Sequence, residues 1–202
     1  WKNINVGTFG IAGTFSFFPG KNLGAYGDAG AIITNDDEFA RYARMFSNHG
    51  QLKKHSHLIE GINSRMDGLQ AAILSVKLPY IQSWSKERLN CANIYNSLFE
   101  NCNFLKTPQI NHNAKHVFHL YVVRVKNRTK LINHLNKNGI STGIHYPSPL
   151  PFLDAYKYLG YKDDDFPISL KYKDQILSLP IYPELEQSSI KYIASKIKEF
   201  YK

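Results

Sequence analysis

The chain has 202 residues, 43% of them hydrophobic, and a formal net charge of +9 at pH 7. This hydrophobic content is enough for a core and excludes a disordered chain, and the length suits one large domain, or one domain with part of another. The lysines that carry the charge are scattered and form no dense basic block with interleaved aromatic residues, so we expect no nucleic-acid partner.

Cysteine content and hydropathy indicate the cellular compartment in which we expect the protein. Cys91 and Cys102 are the only cysteines, which make neither a disulfide framework nor a zinc-ligand set. We therefore expect a reducing compartment, the cytoplasm, and no metal site. No apolar run reaches about 18 residues and no signal peptide is visible, so we expect no membrane partner. The sequence begins at Trp1 without an initiator Met, and we expect the native protein to be longer.

The first hundred residues predict two short strands and two helical regions. Strands are indicated over 12–18 and 29–34 by β-branched and aromatic residues, with a glycine-rich loop between them. A helix that starts at an Asn-Asp-Asp cap is predicted to run to about Phe46. A second helix begins at Asp67, and we expect Pro79 to kink or restart it. Its apolar stripe is formed by Leu69, Ala72, Ile73 and Val76.

The composition changes after the second helical region, where residues 103–115 are polar and indicate a connection. Strands and helices alternate beyond it. They are predicted as a strand over 116–125, a helix over 128–138 closed by Gly139, a strand over 140–146, a turn and short helix over 148–156, a strand from Ile176 and a helix over 187–201. This order is typical of a small α/β domain.

Lys21 lies in the glycine-rich loop, where a lysine has three interpretations. It can be a solvated hairpin residue, it can bind phosphate as in a P-loop, or it can be a nucleophile that forms an imine. The P-loop pattern requires Ser or Thr after the lysine, and Asn22 stands there, which excludes that interpretation. The hairpin and nucleophile interpretations both stay open on composition alone.

The neighbours of Lys21 favour the nucleophile. An imine-forming lysine must lose its proton near neutral pH, so it needs partial desolvation or a nearby cation. Phe15, Phe17 and Phe18 supply apolar surroundings, and the glycines allow the backbone to approach a flat ligand. Ser16 can donate its hydroxyl to a phosphate group. These parts are typical of a site for an aromatic aldehyde that carries a phosphate.

Four segments resemble one known family. SFFPGKNLGAYGDAG, from Ser16 to Gly30, is similar to the pyridoxal-phosphate lysine motif of the DegT/DnrJ/EryC1/StrS sugar aminotransferases. The resemblance continues in GINSRMDGLQAAIL (61–74), GIHYPSPL (143–150) and ILSLPIYPEL (176–185).

The resemblance implies a fold and a domain division. The fold is α/β, that of PLP-dependent transferases of fold type I, which is aspartate aminotransferase-like. Residues 1–102 are then the C-terminal part of the PLP-binding large domain with its linking helix, and residues 103–202 are the small C-terminal α/β domain. The first half of the family fold, with the aspartate that pairs with the pyridine nitrogen, is not in this sequence.

The resemblance also implies a reaction. It predicts a pyridoxal 5'-phosphate-dependent aminotransferase that moves an amino group from glutamate onto a dTDP- or UDP-linked keto sugar. The PGKNLGA-GD segment resembles the subgroup that aminates C3, here of a 3-keto-6-deoxyhexose. A C4 sugar aminotransferase and a non-catalytic fragment or scaffold of the same fold are the alternatives. Relatives that use the cofactor for dehydration have His in place of the lysine, so Lys21 argues against them.

Three residues take cofactor roles from the resemblance. Lys21 is similar to the family lysine that binds the cofactor aldehyde and then carries the proton. Ser16 is similar to the serine that binds the cofactor phosphate. Asn63 is similar to the asparagine that reaches the phosphate of the neighbouring subunit, which implies a homodimer with a shared active site. Ser16 as a strand serine bonded to backbone, and Asn63 as a turn residue at a helix entry, are the structural alternatives.

Five further residues are predicted to bind the nucleotide-sugar substrate. They are Phe18, Tyr26, Lys54, His145 and Tyr146. His145 and Lys54 have simpler alternatives as a satisfied polar residue at a strand end and a solvated lysine. Arg65 is expected to brace the loop around Asn63, and Asp28 to fix the glycine loop. Phe18, His55 and Pro151 depart from residues common in the subgroup, and these departures leave the identity of the sugar open.

Overall fold

The computed structural model describes all 202 residues and divides them into two compact units. The first unit contains 1–83 and 111–115, and the second contains 84–110 and 116–202. The domain division predicted between residues 102 and 103 stays a prediction. No helix is both long enough and apolar enough to cross a membrane.

The first unit begins with a hairpin. Strand β1 (Ala12–Ser16) pairs antiparallel with β2 (Gly30–Thr34), so that Ser16 lies opposite Gly30. Both strands lie inside the predicted ranges. The residues between them form the glycine-rich loop that contains Lys21.

Helix α1 (Asp37–Phe46) follows β2 and begins where the sequence predicts it. Asp36 caps the helix, because its Oδ1 accepts a hydrogen bond from the amide of Phe39 at 2.8 Å. Asp37 and Glu38 in the first turn and Arg44 in the last turn complement the helix dipole. A short antiparallel pair, β3 (Gln51–Lys53) and β4 (Ser56–His57), comes next.

Helix α2 (Gly68–Lys77) has Asp67 as its N-cap residue, which agrees with the predicted start. A 3₁₀ helix (Leu78–Tyr80) interrupts it at Pro79, and helix α3 (Ile81–Phe99) then starts. The prediction that the proline restarts the helix is confirmed, since proline has no amide hydrogen to continue the helical ladder.

The predicted apolar stripe of α2 is only partly correct. Leu69 and Val76 are 70% and 71% exposed, whereas Leu74 is 8% exposed. The side of α2 that packs on the glycine-rich loop is the one that carries Gln70 and Lys77, since both of these side chains contact the loop. Leu74 lies between them on that side. The buried face of α2 therefore follows 70, 74 and 77.

The second unit holds the hydrophobic core. Its sheet has the order β5–β6–β7, all antiparallel, with β5 (Leu105–Lys106), β6 (Tyr121–Val125) and β7 (Ile176–Leu179). The helices are the later turns of α3 together with α4 (Arg128–Lys137), α5 (Pro167–Tyr172) and α6 (Gln187–Phe200). The largest fully buried side chains are Tyr95, Tyr121, Phe118, Leu131, Leu135, Leu177, Ile190, Ile197 and Val123. Residues 121, 123 and 125 of β6 are buried alternately, as the two-residue repeat of a strand requires.

Two predicted strands differ from the structure. The strand predicted over 116–125 starts only at Tyr121, because the carbonyls of Phe118 and His119 accept hydrogen bonds from Arg88 instead of from a neighbouring strand. The segment 140–146 is not a strand. The amide of Ile140 is bonded to the carbonyl of Leu135, in the cap that ends α4.

The rest of the second unit agrees with the sequence pattern. Gly139 ends α4 with φ of +72°, a left-handed conformation that favours glycine. The turn after residue 147 leads into two 3₁₀ helices, Leu150–Phe152 and Asp154–Leu159, where a short helix is predicted.

Candidate active site

The glycine-rich loop is folded back onto β1 by backbone hydrogen bonds. The amide of Phe17 donates to Ala29 at 2.8 Å, and the carbonyl of Phe17 accepts from Ala25 at 2.8 Å. The amide of Lys21 donates to the carbonyl of Phe18 at 2.8 Å, which closes a tight turn. Lys21 is half-buried at this turn. The loop therefore has a defined backbone path, and Lys21 lies at its bend.

Gly24 is needed where the loop folds back. A Cβ atom at this position would collide with the carbonyl group of Pro19 and lie 3.1 Å from the carbonyl oxygen of Phe18. The next residue, Ala25, is 1% exposed. The backbone of Gly24 packs directly against the backbone of Pro19 and Phe18, which leaves no room for a side chain at position 24.

Ser16 is placed at the end of β1, next to the turn. Its Oγ accepts a hydrogen bond from the amide of Phe18 at 3.3 Å, and the residue is exposed. The hydroxyl hydrogen is not used in that bond, so it is able to donate to a second acceptor. Ser16 thus has the local backbone contact of the structural alternative together with a free donor. Phe18 and Tyr26, on the same loop, are 56% and 76% exposed.

Asn63 lies in a segment fixed from two sides. It forms an isolated antiparallel bridge with Asn48, and the amide of Ser64 donates to the carbonyl of Ser47 at 2.9 Å. Arg65 donates from Nη1 to Oδ1 of Asn48 at 2.8 Å. The side chain of Asn63 is exposed at the end of this braced segment.

Lys54 and His55 form the tip of the β3–β4 hairpin. Both are exposed, and His55 has φ of +67°. The amide of His55 donates to Oε1 of Gln51 at 2.7 Å, which holds the tip in place. This geometry presents the Lys54 amine to solvent.

His145 and Tyr146 belong to the second unit. Nδ1 of His145 lies 2.8 Å from Oγ of Ser178, a residue of β7 that is 4% exposed. The backbone of Ser178 pairs in both directions with Gly143, and a Cβ atom at Gly143 would lie 2.7 Å from the His145 ring. The ring is therefore held over Gly143 by a buried serine. Tyr146 is 68% exposed, with its ring edge toward that of His145 at 5.5 Å between centroids.

Two residues near the lysine loop are absent from the sequence-based predictions. Gln70 accepts from the amide of Tyr26 at 2.8 Å, and Lys77 donates to the carbonyl of Gly24 at 2.5 Å. The one feature of the sequence that relates Gln70 to Lys77 is their seven-residue spacing, which places both on one face of a helix. A polar pair at that spacing does not by itself indicate which loop it contacts.

A family model identifies the chain. The model of the DegT/DnrJ/EryC1/StrS aminotransferase family matches residues 1–198. The chain belongs to this family. The resemblance seen in the four segments is thereby confirmed.

Individual members of the DegT/DnrJ/EryC1/StrS family show how close the likeness is. A pleiotropic regulatory protein of Geobacillus stearothermophilus is 44% identical over 199 residues, 98% of this chain and 54% of the relative. The dTDP-3-amino-3,6-dideoxy-alpha-D-galactopyranose transaminase of Aneurinibacillus thermoaerophilus is 40% identical over 200 residues, 99% of this chain and 54% of the relative. The chain spans about half the length of the curated relatives it matches.

A solved structure confirms the fold. The crystal structure of S. venezuelae DesV in complex with a ketimine intermediate superposes with a TM-score of 0.93 at 36% identity. The match covers 99% of this chain and 54% of that chain. The predicted fold class, that of PLP-dependent aminotransferases, is therefore confirmed for this mixed α/β chain.

Aminotransferases of the DegT/DnrJ/EryC1/StrS family use pyridoxal 5'-phosphate, and the residues of the lysine loop fit that group. The loop offers an amine at its bend and a hydroxyl donor in Ser16. Because a Cβ atom at Gly24 would collide with the backbone of Pro19, the surface next to the bend is formed by backbone atoms and not by a side chain.

Proposed function

We propose that this chain is the lysine-bearing part of a pyridoxal 5'-phosphate-dependent aminotransferase. Its reaction places an amino group from glutamate onto C3 of a nucleotide-linked keto sugar, a dTDP- or UDP-linked 3-keto-6-deoxyhexose. The observation that carries the proposal is Lys21, held at the bend of a loop whose backbone is hydrogen-bonded to Phe17, the residue after β1. Support for a 3-amino sugar comes from the related Aneurinibacillus transaminase, whose name specifies one.

Three residues would hold the cofactor. The Lys21 amine would bind its aldehyde carbon, and the Ser16 hydroxyl would donate to its phosphate. Asn63 would reach the phosphate bound by the partner subunit, so the proposed assembly is a homodimer with a shared active site. When bound, pyridoxal phosphate supplies an electron sink for the carbanion formed at the amino donor.

Lys21 has two tasks in the proposed reaction. Its Nζ must be unprotonated to act as a nucleophile, and after release it takes a proton from the donor Cα. The same nitrogen would then deliver that proton to the former aldehyde carbon of the cofactor. A single side chain can do both because the turn between Phe18 and Lys21 keeps the base of the side chain in place.

The nucleotide sugar would be bound by the side chains of five exposed residues. Tyr26 and Phe18 on the lysine loop would contact the sugar. His145 and Tyr146 of the second unit would contact the sugar and the diphosphate, and Lys54 of the partner subunit would neutralise the diphosphate charge. The proposed compartment is the cytoplasm, and the two free thiols, Cys91 and Cys102, support a reducing environment.

The test uses the longer enzyme of which this chain is proposed to be the lysine-bearing part, with pyridoxal 5'-phosphate and borohydride. We expect visible cofactor absorbance that changes when glutamate is added, and a reduced adduct on Lys21 in peptide mass spectra. Lys21→Ala should abolish both signals, whereas Lys86→Ala, at an exposed position of α3, should retain them. A colourless chain that does not respond to glutamate would support the non-catalytic scaffold instead. Product NMR with a dTDP-3-keto sugar and a dTDP-4-keto sugar separates C3 from C4 amination.

A further inference from the structure

One face of α2 is directed at the lysine loop. Gln70 and Lys77 are seven residues apart, which is close to two full turns, so they lie in line about 10.5 Å apart along the helix axis. Leu74, the buried residue of this helix, lies between them. The helix thus offers an amide, an apolar side chain and an amine on a single line.

Lys77 makes two contacts with the loop. Its Nζ donates to the carbonyl oxygen of Gly24 at 2.5 Å and lies 5.3 Å from the centroid of the Tyr26 ring. A hydrogen bond from a charged donor is stronger than a neutral one, and a cation over an aromatic face adds to it. These contacts set both the direction of the Gly24 carbonyl and the position of the Tyr26 ring.

Gln70 holds the next peptide unit. Its Oε1 accepts from the amide of Tyr26 at 2.8 Å. Its Nε2 lies 3.0 Å from the position that a Cβ atom would take at Gly27, so a glycine there lets the amide group come close. Lys77 and Gln70 together hold Gly24, Tyr26 and Gly27, which lie three to six residues after Lys21.

The Gly24–Ala25 peptide group is held at both ends. Its carbonyl accepts from Lys77, and its N–H donates to the carbonyl of Phe17 in the chain leaving β1. Lys21 lies in the closed turn between Phe17 and Gly24. A shift of this peptide would therefore move the lysine turn relative to β1.

We propose that Gln70 and Lys77 are positioning residues that clamp the loop of Lys21 against α2. The clamp opposes the conformational freedom of a loop with glycines at positions 20, 24 and 27, and so fixes where the Lys21 amine stands. Its catalytic importance rests on the proposed function, since a small misplacement of a reacting group costs rate heavily. The mechanical part of the clamp does not depend on any cofactor.

The first experiment measures amide hydrogen exchange, without cofactor, on the longer enzyme of which this chain is proposed to be a part. Gln70→Leu removes the acceptor of the Tyr26 amide, and Lys77→Met releases the carbonyl end of the Gly24–Ala25 peptide. Exchange should rise about tenfold at Tyr26 in the first variant and at Ala25 in the second. Gln70→Glu, which retains an oxygen acceptor, and Lys77→Arg, which retains a cation, should restore most of the protection. Lys86→Met is the matched control, because this lysine is exposed on α3. Amides of the β1–β2 hairpin, in the same unit as the loop, report whether a variant is folded.

The second experiment tests the link to Lys21. Each variant is incubated with pyridoxal 5'-phosphate and trapped with borohydride, and the adduct on Lys21 is quantified by peptide mass spectrometry. We expect slower adduct formation and altered cofactor absorbance in Gln70→Leu and Lys77→Met, with recovery in Gln70→Glu and Lys77→Arg. Lys86→Met should behave as the unmodified chain.

The outcomes separate the clamp from the proposed function. If the unmodified longer enzyme forms no Lys21 adduct, the aminotransferase proposal fails, while the exchange data still decide on the clamp. Unchanged exchange at Ala25 and Tyr26 in folded variants overturns the clamp. If a variant loses protection at all of its amides, the Tyr26 amide of the unmodified protein is used instead. Exchange at Tyr26 as fast as at the exposed Lys54 overturns the clamp, and slower exchange at Tyr26 supports it.

Discussion

Arg88 donates from Nη1 to the carbonyl oxygen of Ile181 at 2.9 Å, across 93 residues of sequence. The same nitrogen lies 3.3 Å from the carbonyl of Phe118 and 3.4 Å from that of His119. Arg88 is 9% exposed, and burial lowers the pKa of its guanidinium from the ordinary value. This buried cation therefore joins α3 to the segments before β6 and after β7.

The first prediction is that Arg88→Met destabilises the second unit by about 3 kcal/mol, since one buried and two part-buried carbonyls lose their donor. Arg88→Lys should cost about half of that, because an ammonium keeps the charge but cannot match the reach of the planar guanidinium. Urea denaturation followed by tryptophan fluorescence measures the loss, in a Trp1→Phe background that leaves Trp84 as the single tryptophan of the chain. Arg41→Met, at an exposed position of α1, is the control and should change the midpoint little.

The second prediction compares two glycines. Gly24→Ala should reduce borohydride-trapped pyridoxal adduct on Lys21 by roughly tenfold or more, because the new Cβ atom meets the Pro19 carbonyl and displaces the lysine turn. Gly68→Ala meets no atom within 4 Å and starts helix α2, so it should leave the adduct unchanged and stabilise the chain by about 0.5 kcal/mol. Equal adduct yields in the two variants would contradict the steric argument.

The helix ends that are predicted correctly from the sequence are those fixed by residues close to them along the chain. The cap of α1 at Asp36 and the stop of α4 at Gly139 each depend on contacts within five residues. The strand predicted over 140–146 is wrong because Ile140 is used to end α4, and the strand from 116 is too long because Arg88, 30 residues earlier, takes the Phe118 carbonyl. The alternation of hydrophobic residues along the sequence indicates neither of these two hydrogen bonds.

The candidate site divides in the same way. Lys21, Ser16 and the glycines lie in one continuous stretch, so their grouping is visible in sequence. Gln70 and Lys77 are separated from the loop residues they contact by 44 and 53 positions. Their polar character fits an exposed helix face equally well, and only the folded chain distinguishes a clamp from a solvated pair.

The third prediction concerns pH. Nδ1 of His116 accepts from the amide of Phe118 at 2.9 Å, which requires that nitrogen to be unprotonated, and burial lowers the pKa of His116 from its ordinary 6.5. The unfolded chain then binds the proton more readily than the folded chain. The stability of the second unit should fall as pH drops below about 6.5 and level off below the folded-state pKa.

His116→Gln removes this contribution. The urea midpoints of the unmodified chain and of this variant should therefore converge or cross as the pH is lowered from about 8 to 5. His112→Gln is the matched control and should retain the pH dependence of the unmodified chain. A constant difference between the midpoints of the unmodified chain and His116→Gln at every pH would show that His116 does not titrate with folding.

The fourth prediction is that Ser178 sets the orientation and tautomer of His145. The ring lies over Gly143 and has Oγ of Ser178 at 2.8 Å from Nδ1, so one ring nitrogen is committed to this bond. In Ser178→Ala the ring loses its partner, and ¹⁵N NMR of the imidazole should change from the pattern of one tautomer toward a mixture. Ser195→Ala is the control, because its hydroxyl bonds only to its own helix at Tyr192. Imidazole shifts that stay the same in Ser178→Ala, while the β7 amides remain protected, would mean that packing over Gly143 alone orients the ring.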